Sequence, residues 1–130
     1  MNMLERRKMK EVLEVSIPER EAEIVEIVGT LIRYEVDEDS FSGDIEGMNF
    51  VDNVSGLRLS MALRVICADE LGKEAVRDGL KLIKLSSVID ESDKKLEFVD
   101  GVLSMTCAYS KGLSGAFSDG EICTVIENGL

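Results

Sequence analysis

The sequence contains no histidine. That removes Ser-His-Asp and Cys-His catalysis. It removes histidine-ligated zinc, copper and non-haem iron, and it removes the ordinary acid–base group of neutral pH. Tryptophan is also missing and aromatics make up only 5% of the chain. The core must therefore be aliphatic, with six methionines as adaptable filler. No apolar run approaches the roughly 18 residues of a membrane span. No Walker loop and no GxGxxG pattern occurs, so the glycines suggest no nucleotide cradle. The three cysteines are an odd number without CxxC spacing, which suggests neither a disulfide framework nor a zinc site. No signal-peptide apolar core is legible near the N-terminus. A reducing, cytoplasmic setting is the resulting expectation.

What is present fits a globular chain. The 130 residues are 45% apolar, long enough for a sizeable core and expected to form one domain over residues 1–130. The net charge of −11 is uneven. Arg6, Arg7, Lys8 and Lys10 outweigh Glu5 near the start, so the rest of the chain is more acidic still. An acidic body is unsuited to neutralising phosphates, which argues against nucleic acid as a partner. It also argues against docking on an anionic membrane.

Residues 57–67 fit two templates. Leu57, Leu59, Met61, Leu63, Val65 and Cys67 alternate as a strand would, while Leu59, Ala62, Leu63, Ile66 and Cys67 share a helical face. The Leu, Met, Ala and Arg content favours helix. After Asp69, a capping residue, Ala75, Val76, Leu80 and Ile83 share a face opposite Lys73, Glu74, Arg77, Asp78 and Lys81, which predicts an amphipathic helix. Residues 3–15 read as a short helix, loosely attached. Ser16 and Glu19 have capping-box spacing around Pro18, and Ile24, Ile27, Val28 and Leu31 continue as one face. A strand pair turning at Gly29 is the alternative over residues 23–36.

Residues 85–90 and 95–99 flank a polar loop and read as a β-hairpin. Asp100-Gly101 is a second turn signal. Leu103, Met105, Cys107 and Tyr109 alternate as a third strand, and residues 121–126 read as a last one. Helices followed by strands predict an α+β fold, with a helix-rich N-terminal half packed on a small antiparallel β-meander formed mainly by residues 85–127.

Three groups of residues carry candidate chemistry. Tyr109 and Lys111 lie at the end of a predicted strand beside a glycine-bearing loop, and Asp119 and Glu121 close that loop where they can pair with Lys111. Asp37, Asp39 and Asp44 belong to an acidic loop over residues 35–46, with oxygen ligands suited to Ca²⁺ or Mg²⁺. The EF-hand spacing fails there: Phe41 stands where a third oxygen belongs, Gly43 comes one residue late, and Met48 replaces the closing glutamate. Cys67, Cys107 and Cys123 sit in apolar surroundings that predict buried, inert thiols.

The run Cys107-Ala108-Tyr109-x-x-Gly112-Leu113 with Cys123, and Leu71-Gly72-Lys73 upstream, resembles the cysteine- and glycine-bearing end of vinyl-reductase-type small-molecule-binding domains. The resemblance covers about a third of the chain. It departs in the short Gly112–Gly115 spacing and in the sequence ending soon after Cys123, so no site residue is carried over from it. It implies at most a small-molecule-binding domain.

The chain is therefore expected to be a non-catalytic module that binds a small molecule or a protein partner, working as a homodimer, with the cofactor question open. The alternatives are a small enzyme using Lys111, Tyr109 and Asp119 on an anionic substrate, and a divalent-cation site in the acidic loop.

Overall fold

The computed structural model describes residues 1–130. Two long helical rods dominate the first half. The first joins α1 (Met3–Glu11) to α2 (Ile17–Val28) through a π turn at Val12–Ser16. Pro18 follows that turn after one residue, Ile17. Proline lacks an N–H and its ring crowds the carbonyl four residues back, so the widened turn lets the helix continue past it. Ser16 lies inside the rod and makes no side-chain cap, so the capping box expected at Ser16 and Glu19 is not formed. Met9 and Val12 are buried in the common core. Gly29, left-handed at φ 89°, ends the rod.

The second rod joins α3 (Ile45–Val51) to α4 (Arg58–Ile66) through a π turn at Asp52–Leu57. Residues 57–67 are thus mostly helical. Leu59, Ala62 and Leu63 face the core while Leu57, Met61 and Val65 face outward. Helix α5 (Glu70–Gly79) starts where Asp69 accepts the Gly72 N–H.

The fold is α+β. Its sheet holds β1 (Arg33–Val36), β2 (Leu82–Ser87), β3 (Lys95–Val99) and β4 (Val102–Cys107), in the order β1-β2-β4-β3. The arrangement differs from a simple antiparallel meander. β1 runs parallel to β2, β2 parallel to β4, and only β3 and β4 are antiparallel. The first strand falls in the second arm of the strand pair held as the alternative over residues 23–36, while the first arm is helical, and β4 rather than β3 lies beside β2. Asp100-Gly101 is the hairpin turn, with both residues at positive φ. Asp90 caps a short 3-10 turn instead of closing a hairpin.

Residues 121–126 are not a strand. They belong to α6 (Asp119–Gly129), which begins with a complete capping box: Ser118 Oγ accepts the Glu121 N–H and Glu121 Oε1 accepts the Ser118 N–H. Two unmet N–H groups are satisfied there, and that outweighs the β-branched content of the segment.

One face of the sheet is covered. Tyr34, Ile83, Leu85, Leu103, Met105 and Cys107 point into a continuous core with Ile24, Leu59, Leu63, Ile122 and Ile126 of the helices. The other face, with Glu35, Lys84, Ser86, Ser104, Thr106, Lys95 and Glu97, is bare. No helix is long and apolar enough to cross a membrane.

Candidate functional site

The residues singled out around the glycine loop do not converge. Tyr109 is fully buried. Its ring stacks on Phe41 with centroids 5.6 Å apart, and its hydroxyl lies 2.7 Å from Ser55 Oγ. Burial pushes its phenol well above the ordinary range. It is a core side chain, placed there because β4 delivers it under the second rod's π turn. Lys111 is exposed beside Ile89, Asp90 and Glu91. Glu121, expected as an alternative partner of Lys111, is engaged in the capping box. Asp119 starts α6 and forms no ion pair with Lys111. Alternation with Leu103, Met105 and Cys107 put Tyr109 on the apolar face of the predicted strand, and it is indeed buried, but the chain leaves the sheet at Cys107 and carries Tyr109 into the core on a 3-10 segment at Tyr109–Gly115.

The acidic loop is divided in the same way. Asp37 and Asp39 lie together, lining a cleft of about 640 Å³ over the carboxyl ends of β1, β2 and β4, with Glu35, Glu38, Lys84, Ser86, Ser104 and Thr106. Asp44 is elsewhere and occupied: it caps α3 through the Gly47 N–H at 2.9 Å and accepts Ser87 Oγ–H at 3.0 Å. No three carboxylate or thiol groups gather in a way that holds a metal ion.

Cys107 is buried and its thiol is pushed up by burial. Cys67 is also raised, by burial. Burial and the neighbouring Glu127, which accepts the Sγ–H at 2.9 Å, push Cys123 up to about 11. All three are poor nucleophiles at neutral pH.

A second cleft of about 640 Å³, which no sequence pattern signalled, lies between β3 and α6. It is lined by Lys94, Lys95, Leu96, Phe117, Ser118, Gly120, Glu121, Thr124 and Val125. Leu96, Phe117 and Val125 supply apolar surface. Lys94 Nζ stands 5.1 Å from the Phe117 ring centroid and donates to the Ala116 carbonyl at 3.2 Å, which fixes one end of the groove. The edge of β3 forms the groove's wall, and no strand pairs with its outer side.

The two edges of the sheet differ. At the β1 edge, Glu21 Oε2 of α2 accepts the Tyr34 N–H at 2.9 Å, so one of the outward backbone donors is already satisfied. β3 has no such plug. The type I′ turn at Asp100-Gly101 makes Val99 and Val102 a hydrogen-bonded pair, so Lys95, Glu97 and Val99 bond to β4 while Leu96 and Phe98 present their N–H and C=O groups outward.

No family model, curated protein or solved structure matches the chain, vinyl-reductase-type domains included.

Proposed function

We propose that this protein is a non-catalytic binding module that takes an extended chain segment as an added strand on β3, with side chains of that segment seated in the groove against α6. The observation that supports this most is the unplugged β3 edge beside a partly apolar groove, in a sheet whose opposite edge is plugged by Glu21. Strand addition uses backbone hydrogen bonds for affinity and alternate side chains for specificity. An open edge accepts strands indiscriminately unless charges select them. Lys95 and Glu97 on β3 make that selection toward a complementary pattern.

Panning a phage-displayed library of linear random peptides, followed by NMR titration of the selected peptides, tests this reading. Amide shifts at Leu96 and Phe98 with side-chain shifts at Phe117 and Val125 are expected. Selected peptides that shift none of these residues overturn it.

A second reading places a small hydroxylated or amine-bearing molecule in the cleft at the carboxyl ends of β1, β2 and β4, where ligands of parallel strands commonly sit. The divalent-cation reading belongs to the same cleft, through Asp37 and Asp39. Calorimetry with Ca²⁺ and Mg²⁺ at millimolar concentration showing no heat of binding retires the cation.

A further inference from the structure

We propose that the strand added to β3 is β3 of a second copy of this chain, antiparallel, about a two-fold axis at Leu96, giving a continuous eight-stranded sheet. This rests on the strand-addition reading and names its occupant.

The hairpin decides which backbone groups are open, and charge selects the register. Only Leu96 and Phe98 within β3 turn both N–H and C=O outward; Lys94 just before it adds its C=O alone, since its N–H donates to the Glu91 carbonyl at 3.3 Å. An axis at Leu96 makes the two Leu96 residues exchange both hydrogen bonds and sets Lys94 of each copy against Phe98 of the other. The intervening positions are then non-hydrogen-bonded pairs, in which side chains come closest, at Cα separations of about 4.5 Å. In those pairs Lys95 faces Glu97 of the second copy, and Glu97 faces its Lys95. The β3 edge is therefore complementary in charge to itself, twice, in this register. In the present chain Lys95 Nζ and Glu97 Oε1 already share the bare face of the sheet, 3.0 Å apart, so both charges sit where the cross-strand partners would meet them.

Neighbouring registers lose this match. An axis at Phe98 puts Glu97 against Val99 and Lys95 against the turn residue Gly101. An axis at Lys94 puts Glu97 against Glu91, and Glu91 lies in a 3-10 turn with no strand geometry. The stretch Lys94, Lys95, Leu96, Glu97, Phe98, Val99 also carries one net positive charge, whereas the whole chain carries −11. Two copies thus meet at a stretch far less charged than the chain as a whole. Leu96 and Phe98, both half-buried in one chain, would be covered further.

Sedimentation velocity and native mass spectrometry of the full chain test the proposal, using wild type, Lys95→Glu, Glu97→Lys and the double exchange. The wild type is expected to be a dimer. Each single reversal turns both cross-strand pairs into like charges and should weaken the dimer about tenfold, while the double exchange restores it. Circular dichroism checks that all four chains fold, which these exposed positions permit. A dimer indifferent to the reversals overturns the proposal, because another face then holds it. A wild type that stays monomeric at millimolar concentration also overturns it. If selected peptides still shift Leu96 and Phe98 in that monomer, strand addition stands without the second copy; if they do not, both readings fall.

Discussion

The Glu21 carboxylate accepts the backbone N–H of Tyr34 at 2.9 Å, from a side chain only 12% exposed. A helix side chain thereby takes the place of a neighbouring strand at the β1 edge. Glu21→Ala leaves that N–H without its charged acceptor and should cost about 1–3 kcal/mol. Glu21→Gln keeps an acceptor oxygen and should cost less. Urea unfolding of both variants measures the difference, and hydrogen exchange at the Tyr34 amide should speed up in the alanine variant alone.

The π turn at Asp52–Leu57 is held to the first rod by Arg20, which reaches Asp52 with two hydrogen bonds, Nε–Oδ1 at 2.7 Å and Nη2–Oδ2 at 3.1 Å. The hydrogen bond that Arg20 donates to Asp52, partly offset by burial, raises the guanidinium above its ordinary value. Gly56 leaves room for this pair: a Cβ there would lie 2.8 Å from Asp52 Oδ1 and 3.1 Å from Arg20 Cγ. Gly56→Ala should therefore destabilise by roughly 1–3 kcal/mol in urea unfolding. Asp52→Asn, at a pair still partly solvated, should cost about 1–2 kcal/mol.

Two serines with similar sequence signals should respond differently. Ser118→Ala removes the α6 cap and should cost about 1 kcal/mol. Ser16→Ala touches no cap and should stay within about 0.5 kcal/mol. Thermal or urea unfolding separates them. Equal effects would mean that the capping geometry at Ser118 contributes nothing.

The thiols set an alkaline limit. Cys67, Cys107 and Cys123 all have folded pKa values above the ordinary one, and Cys123 reaches about 11. A raised value favours the folded state while the thiol is neutral. That contribution is whole below the unfolded thiol pKa and is lost as pH rises through the folded one. For Cys123 the loss falls between about pH 9 and 11. Unfolding midpoints should drop over that interval. Iodoacetamide at pH 8 should modify Cys123 about a hundredfold more slowly in the folded chain than in urea. Glu127→Gln should narrow that gap by removing the neighbouring charge.

Local chemistry was legible in the sequence where neighbours in the chain decide it. The Asp69 cap, the helical face through Ala75 and Val76, the Asp100-Gly101 turn and the alternating strand from Leu103 to Cys107 all follow from contacts a few residues long. The capping box at Ser118 and Glu121 was equally local and could have identified α6 in place of a strand. The candidate site was far less legible. Two of the three candidate loop aspartates, Asp37 and Asp39, share a cleft, while Tyr109, Lys111 and Asp119 were linked only by closeness in sequence. What the residues themselves determined was an aliphatic, acidic α+β chain without histidine chemistry. The tertiary structure alone decided that β4 enters between β2 and β3, that Tyr109 turns inward to Ser55, and that Glu21 closes one sheet edge while β3 stays open. Those outcomes depend on which apolar faces share a core and which backbone groups find partners far away in the chain, and no short-range pattern encodes either.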